Sequence, residues 1–276
     1  MKNKNKVSTK ILIVLIFGSL TSLGIFLNPS FASPGQVLKT AAPKNILIYT
    51  EYTDDSNGGE LENTIDAINQ SYGNFTYGFL TDYTNLTAQL SGYDILLIPE
   101  QENGDVNTFK TIGLNWTDPL KSFINGGGTV IILDYSGGSY HIYNSSGLML
   151  IMGELECTGE NTTLINQNSP LANNVNGNFT LSDGSIYFET NETTSVVEYD
   201  SNPVVIHKRR GKGHMVLMGI DFYEIVNETA TILGNAVALN PGSGIPGYDL
   251  NVFIGLSIFS IGITLIILKK KFKIKK

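Results

Sequence analysis

The sequence is short of cysteine, of charge and, through most of its length, of basic residues. Cys157 is the single cysteine, which excludes a disulfide scaffold and a zinc site built from cysteine pairs. Charged residues make up 16% of the 276-residue chain, whereas about 25% is usual for soluble domains. Residues 33–247 hold 8 basic and 24 acidic residues, a balance of −16 that argues against nucleic acid as a partner.

The first apolar run of the chain lies at its N-terminus. Four lysines and no acidic residue occur in residues 1–32, and an uncharged stretch over 11–27 follows the lysines. The small residues Ser30 and Ala32 then provide a cleavage site, so residues 1–32 are predicted to be a secretory signal peptide. An uncleaved membrane anchor is the alternative. Residues 33–43 are predicted to be a linker.

The second apolar run lies near the C-terminus. Residues 250–268 carry no charge and are long enough as a helix to cross about 30 Å of hydrocarbon. The tail 269–276 holds six lysines, which favours a cytoplasmic C-terminus and a single-pass protein of the cell membrane with residues 33–247 outside. Residues 241–249 are predicted to be a stalk. A buried core helix is the alternative for 250–268.

The stalk and the run after it resemble the C-terminal anchor of archaeal surface proteins. The resemblance is carried by the Pro-Gly-aromatic stretch Pro246-Gly247-Tyr248, by the single apolar run and by the basic tail. An exposed domain also agrees with nine Asn-x-Ser/Thr sites, although a chain rich in Asn and Thr provides some of these without glycosylation. The predicted glycosylation sites are Asn69, Asn74, Asn85, Asn115, Asn144, Asn161, Asn178, Asn191 and Asn227.

The pattern of residues 44–240 predicts one α/β domain. Short apolar runs at 45–50, 75–80, 93–98 and 129–134 alternate with helical patterns, which is typical of a mainly parallel sheet covered on both faces. Residues 101–116 are expected to be a long polar loop, and Gly126-Gly127-Gly128 is expected to end a helix. Three later runs at 195–199, 203–207 and 214–219 are expected to form an antiparallel extension of the sheet, before a closing helix over 230–239.

The order of these motifs resembles the class I glutamine-amidotransferase-like fold, a flavodoxin-like relative. Within that fold, it looks like a non-catalytic branch such as the trehalose-utilisation-like proteins. The motifs are YDILLI at 93–98, FINGGGTVI at 123–131, RGKGHMV at 210–216 and NAV at 235–237. The resemblance implies a cysteine nucleophile directly after the fourth strand, but Ser136 is in that neighbourhood. It implies a catalytic histidine near Ile220, and the chain has none there. The amidotransferase triad is therefore judged absent, and Cys157 is expected to be a buried residue.

Polar residues at the carboxyl ends of the strands are the candidate site, because parallel α/β sheets bind ligands there. They are expected to converge and to bind a glycan or a surface protein without catalysis, cofactor or dedicated metal. The predicted ligand-binding residues are Glu51, Glu100, Asp134, Ser136, Tyr140, His141 and Asp221. The alternative is an extracellular serine hydrolase that uses Ser136 and His141. The gathered carboxylates should raise at least one pKa or hold a cation. The acidic stretch 54–60 could bind calcium, but a solvated loop is the preferred interpretation.

Overall fold

The computed structural model describes residues 43–242, except positions 55, 57, 136 and 193. The predicted signal peptide, the transmembrane run and the basic tail lie outside the described residues. Of the predicted linker only residue 43 is described, and of the predicted stalk only residues 241 and 242. Within the described part of the chain, no helix has the length and apolarity needed to span a membrane.

Strands and helices alternate in the first half of the domain, and strands dominate the second half. The strands are β1 (Lys44–Tyr49), β2 (Phe75–Leu80), β3 (Ile95–Ile98), β4 (Thr129–Leu133), β5 (Ile151–Glu156), β6 (Asn161–Leu164), β7 (Asn178–Thr180), β8 (Ile186–Thr190), β9 (Ser195–Tyr199), β10 (Asn202–Arg210) and β11 (Gly213–Met218). The α-helices are α1 (Glu60–Ser71), α2 (Leu86–Gln89), α3 (Val106–Asn115), α4 (Thr117–Gly126), α5 (His141–Ser145) and α6 (Asn227–Val237). Short 3₁₀ turns lie at Tyr83–Asn85 and Pro170–Ala172.

One large sheet forms the frame of the domain, with nine strands in the order β2-β1-β3-β4-β11-β10-β9-β6-β7. The pairs from β2 to β11 are parallel, and the pairs from β11 to β7 are antiparallel. The parallel part has the flavodoxin-like order 2-1-3-4-5 when β11 is taken as the fifth strand. The α/β sheet with an antiparallel extension is therefore confirmed.

The central strands are buried on both faces, as their apolar runs predict. Every residue of β3 and β4 is buried, because helices cover the sheet from two sides. Alternate strand residues pack on one side with α1 and α6, and the others pack on the opposite side with α3, α4 and α5. Gly127 adopts the left-handed conformation (φ 118°) that ends α4, so the predicted glycine stop is confirmed.

Two expectations for the chain differ from the structure, and one stretch adds strands that the sequence did not predict. The polar stretch 101–116 is not one long loop: Asp105 caps α3 by accepting the N–H groups of Asn107 and Thr108. The run at 214–219 is not purely antiparallel, because β11 pairs parallel with β4 and antiparallel with β10. Between α5 and β9 the chain adds four further strands, of which β5 and β8 form a separate two-stranded sheet.

Candidate functional site

Three glutamates meet at the point where the strand order reverses, between β1 and β3. Glu100 follows β3 by two residues, Glu60 is the first residue of α1, and Glu102 lies in the loop after Glu100. One carboxylate oxygen from each lies within 4.8 Å of those of the other two. This is the edge at which doubly wound sheets bind their ligands, because the loops diverge there and leave a crevice. We call Glu60, Glu100 and Glu102 the glutamate cluster.

The electrostatics of the glutamate cluster are unfavourable for three ionised carboxylates. Glu100 is 4% exposed, and neither of its carboxylate oxygens has a hydrogen-bond partner among the described residues. Burial, followed by the neighbouring Glu60 carboxylate, raises the pKa of Glu100 well above its ordinary value. Burial is also the main cause that raises the pKa of Glu60 to about 7. Two carboxylates can hydrogen-bond only through a shared proton, so the cluster needs either protons or a cation.

Asp134 forms a second carboxyl pair, with Glu154 of β5. Asp134 is fully buried, and its two oxygens accept the N–H groups of Ser139 (2.9 Å) and Tyr140 (2.8 Å). These bonds hold the turn that leads into α5, which gives Asp134 a structural task. Burial, and then the charge of Glu154, raise the pKa of Asp134 well above its ordinary value. Burial raises the pKa of Glu154 to about 7.

Asp221 follows β11 and lies near the glutamate cluster, since its charge contributes to the raised pKa values of Glu60 and Glu100. One of its oxygens accepts the N–H of Tyr223. Burial is the main cause that raises the pKa of Asp221 itself. Gly184 packs directly on this carboxylate: a Cβ at Gly184 would lie 2.0 Å from Asp221 Oδ2.

Glu51 is engaged in a different task from the other predicted site residues. Its Oε2 accepts the N–H of Tyr83 (2.6 Å) and the hydroxyl of Tyr49 (3.2 Å). The carbonyl of Tyr83 accepts the indole N–H of Trp116 (2.7 Å), so both backbone groups of Tyr83 are fixed. Glu51 therefore holds the loop after β2 against the end of β1.

The loop held by Glu51 lines an open groove of about 300 Å³. Tyr52 lies on one side, after β1, and the N-terminal part of α3 contributes polar groups. The lining residues are Tyr52, Tyr83, Asp105, Asn107, Thr108 and Thr111. Tyr52 is itself fixed, because its N–H donates to Gln101 Oε1 (3.3 Å) and its carbonyl accepts the N–H of Asn103 (2.9 Å). We call this surface the tyrosine groove.

The residues of the hydrolase alternative are only partly described. Ser136 lies outside the described residues, so its distance from His141 stays untested. The ring of His141 packs on that of Tyr140, with 4.3 Å between the ring centroids. Burial, followed by the charge of Lys110, lowers the pKa of His141. Among the described residues, no carboxylate is hydrogen-bonded to the His141 ring, as the third member of a hydrolytic triad would be.

Cys157 directly follows β5. The resemblance to class I amidotransferases implies a nucleophile directly after β4 instead. Cys157 is 3% exposed, and its backbone N–H donates to the carbonyl of Ser185 (2.8 Å). Burial is the main cause that raises the pKa of its thiol to about 12, which disfavours the reactive thiolate. Cys157 is thus the buried residue that the sequence predicted.

The sequence predicts that Glu100, Asp134 and Asp221 lie at the carboxyl edge of the sheet but does not reveal their partners. It favours a solvated loop for Glu60, gives no element to Glu154, and predicts a polar loop for the α3 side of the tyrosine groove. A signal for the groove was present: Asp105 precedes an apolar pair, Phe109 and Ile112, at helical spacing. No local signal could reveal the contact of Glu60 with Glu100, because it depends on how α1 crosses the sheet.

Comparisons with known proteins reveal a likeness of fold and none of sequence. No family model matches the chain, and no curated protein matches it. Among solved structures, a ThuA-like protein from Bacteroides uniformis has a TM-score of 0.50 at 15% identity, over 74% of this chain and 94% of that one. A cytoplasmic protein from Salmonella typhimurium LT2 has a TM-score of 0.51 at 14% identity, over 70% of this chain and 98% of that one.

Another cytoplasmic protein from Salmonella typhimurium has a TM-score of 0.50 at 12% identity, over 72% of this chain and 99% of that one. These likenesses are consistent with the class I glutamine-amidotransferase-like fold that the motifs predicted. At such identities they establish the fold alone. The activity of this chain must therefore be argued from its own site.

Proposed function

We propose that the domain is a non-catalytic module that binds a carbohydrate in the tyrosine groove. The observation that carries the proposal is the composition of this groove: two anchored tyrosines face a helix end that presents a carboxylate, an amide and two hydroxyls. Tyrosine rings pack on the apolar faces of sugars, and the polar groups can hydrogen-bond their hydroxyls. The groove lies at the carboxyl edge of the sheet, where such folds bind ligands.

The groove is organised for binding before any ligand arrives. Glu51 and Trp116 fix the backbone of Tyr83, and Gln101 fixes that of Tyr52. Gln101 is buried and donates to the carbonyls of Tyr49 (3.1 Å) and Pro99 (2.8 Å), so the loop is tied to both neighbouring strands. A fixed binding surface loses little conformational freedom when a ligand binds, which favours affinity.

The absence of catalysis is part of the proposal. The buried thiol of Cys157 with its raised pKa, and Ile220 at the position where the resemblance implies a histidine, argue against amidotransferase chemistry. The hydrolase alternative needs Ser136, and a serine-directed fluorophosphonate probe tests it. Labelling of the parent chain that is lost in Ser136→Ala would support the hydrolase over the binding module.

The location of the module is a further part of the proposal: residues 33–247 face the outside on a single membrane helix at 250–268. The support is the sequence of the two ends and the lysine tail. Protease added to intact cells should remove the domain and leave the lysine tail protected. Complete protection of the domain would contradict this orientation.

A glycan array with the full-length chain in detergent is the test of binding. The affinity for the best glycan is then compared between the parent and Tyr52→Ala, which should bind about 10-fold or more weakly because an aromatic anchor is lost. Tyr223→Ala is the matched control, since Tyr223 is 67% exposed and lies outside the groove. Absence of any glycan signal, or equal losses in both variants, would show that the groove is not the site.

A further inference from the structure

We propose that the glutamate cluster is a binding site for a divalent cation, with calcium as the preferred ion. The inference is independent of the tyrosine groove, although Glu100 and Glu102 lie on the same loop as Asp105 of that groove. Glu60, Glu100 and Glu102 each have one carboxylate oxygen that lies within 4.8 Å of those of the other two.

The buried Glu100 is the observation that points to a ligand. Glu100 is 4% exposed, and its buried carboxylate, which belongs to the cluster, has no hydrogen-bond donor on either oxygen among the described residues. Glu60 Oε2 is also buried and has no partner there. An ionised carboxylate that has lost its water and gained no donor costs several kcal/mol unless a cation or a proton compensates it.

The described residues provide no internal cation for the cluster. The ion pair found among the described residues joins Lys208 Nζ to Glu192 Oε2 at 2.8 Å. Neither residue belongs to the glutamate cluster. The charges that act on Glu100 are those of Glu60, Asp221 and Asp134, and all three are acidic. A bound cation would therefore relieve repulsion among several carboxylates at once.

The ligand chemistry favours calcium. Carboxylate oxygens are ligands of hard cations, and calcium takes about six to eight oxygens in a flexible geometry. Magnesium demands a near-ideal octahedron and keeps several of its waters, so it usually binds about one or two carboxylates rather than three. Glu102 is exposed, which leaves an open side for entry of the ion and for water ligands.

Calorimetric titration of the metal-free, full-length chain in detergent with calcium chloride alone is the test. We expect one ion per chain with a dissociation constant of about 10⁻⁵ to 10⁻³ M, and weaker binding of magnesium. Glu100→Gln keeps the shape of the side chain and should weaken binding about 10-fold or more. Glu102→Gln changes an exposed residue and should also weaken binding, so a folding defect in the first variant does not leave the proposal without a test.

Glu154→Gln is the matched control, because Glu154 is also a partly buried carboxyl with a raised pKa but belongs to the pair with Asp134. It should bind calcium as the parent does. Tyr52→Ala should likewise keep calcium binding, which separates this site from the tyrosine groove. Three results would overturn the proposal: no calcium binding at millimolar concentrations, unchanged binding in both cluster variants, or an equal loss in Glu154→Gln. Tighter binding of magnesium than of calcium would overturn the choice of ion.

Discussion

His207 donates its Nε2 proton to Nδ1 of His214 across the β10–β11 hairpin, at 2.9 Å. The direction of the bond follows from the other nitrogen of His214, which lies 3.0 Å from the carbonyl oxygen of Asn240 and must therefore carry a proton. The two rings stack with 5.1 Å between their centroids. Both histidines are neutral in this arrangement, and together they hold the end of the domain against β11.

This histidine pair should make folding sensitive to acid. Burial, followed by the charges of His214 and Arg209, lowers the pKa of His207 from 6.5 to about 4, and burial lowers that of His214. A lowered histidine pKa stabilises the fold above pH 6.5, and this stability is lost as the pH falls from 6.5 through about 4. His207→Gln can keep the hydrogen bond without titrating.

The parent should therefore lose about 2 kcal/mol more of its free energy of unfolding than His207→Gln between neutral pH and pH 4. Denaturant unfolding of both chains at a series of pH values measures this difference. The comparison with the variant is needed because the buried carboxyls titrate in the same range with the opposite sign. Parallel pH curves for the two chains would contradict the prediction.

The Asp134–Glu154 pair should destabilise the fold at high pH. Glu154 has a pKa raised from 4.5 to about 7, so its contribution is favourable at low pH and is lost as the pH rises through 7. Glu154→Gln removes the titrating group and should be more stable than the parent at pH 8 by about 1 kcal/mol, a modest gain because the partly exposed carboxyl is screened by water. Near pH 4 the two chains should be equally stable, and an advantage that is constant with pH would show a different cause.

Gly184→Ala should destabilise the domain by about 1–3 kcal/mol, because the left-handed backbone disfavours a side chain and because the site lacks space. Gly184 has φ +89°, and its new Cβ would lie 2.0 Å from Asp221 Oδ2. Gly177→Ala is the control, since nothing lies within 4 Å of a Cβ there. Chemical denaturation of both variants measures the effect, and equal losses would show that contact with Asp221 is not the cause.

Cys157 should be inert toward alkylating reagents in the native protein. Burial raises the pKa of its thiol to about 12, and the side chain is 3% exposed. Iodoacetamide at neutral pH should label the chain only after unfolding, as mass spectrometry of the intact chain would record. Rapid labelling of folded protein would revive a reactive role for this thiol.

The parallel half of the sheet could be predicted from the sequence alone. The runs that became β3 and β4 are apolar at nearly every position, a pattern typical of a strand buried on both faces, and Gly127 supplies the helix stop before β4. Glu100 and Asp134 could be placed at one sheet edge for the same reason: parallel strands end together. The place of Asp221 depends on the parallel pairing of β11 with β4, which the sequence did not predict.

The identity of the partners at that edge was decided by tertiary structure. Glu60 meets Glu100 because α1 returns across the sheet after β1, and Glu154 meets Asp134 because β5 leaves the main sheet for a separate pairing with β8. Both contacts join residues that are remote in the chain, and neither leaves a local pattern. Burial, which depends on the same packing, is what turns these ordinary carboxyls into groups with raised pKa values.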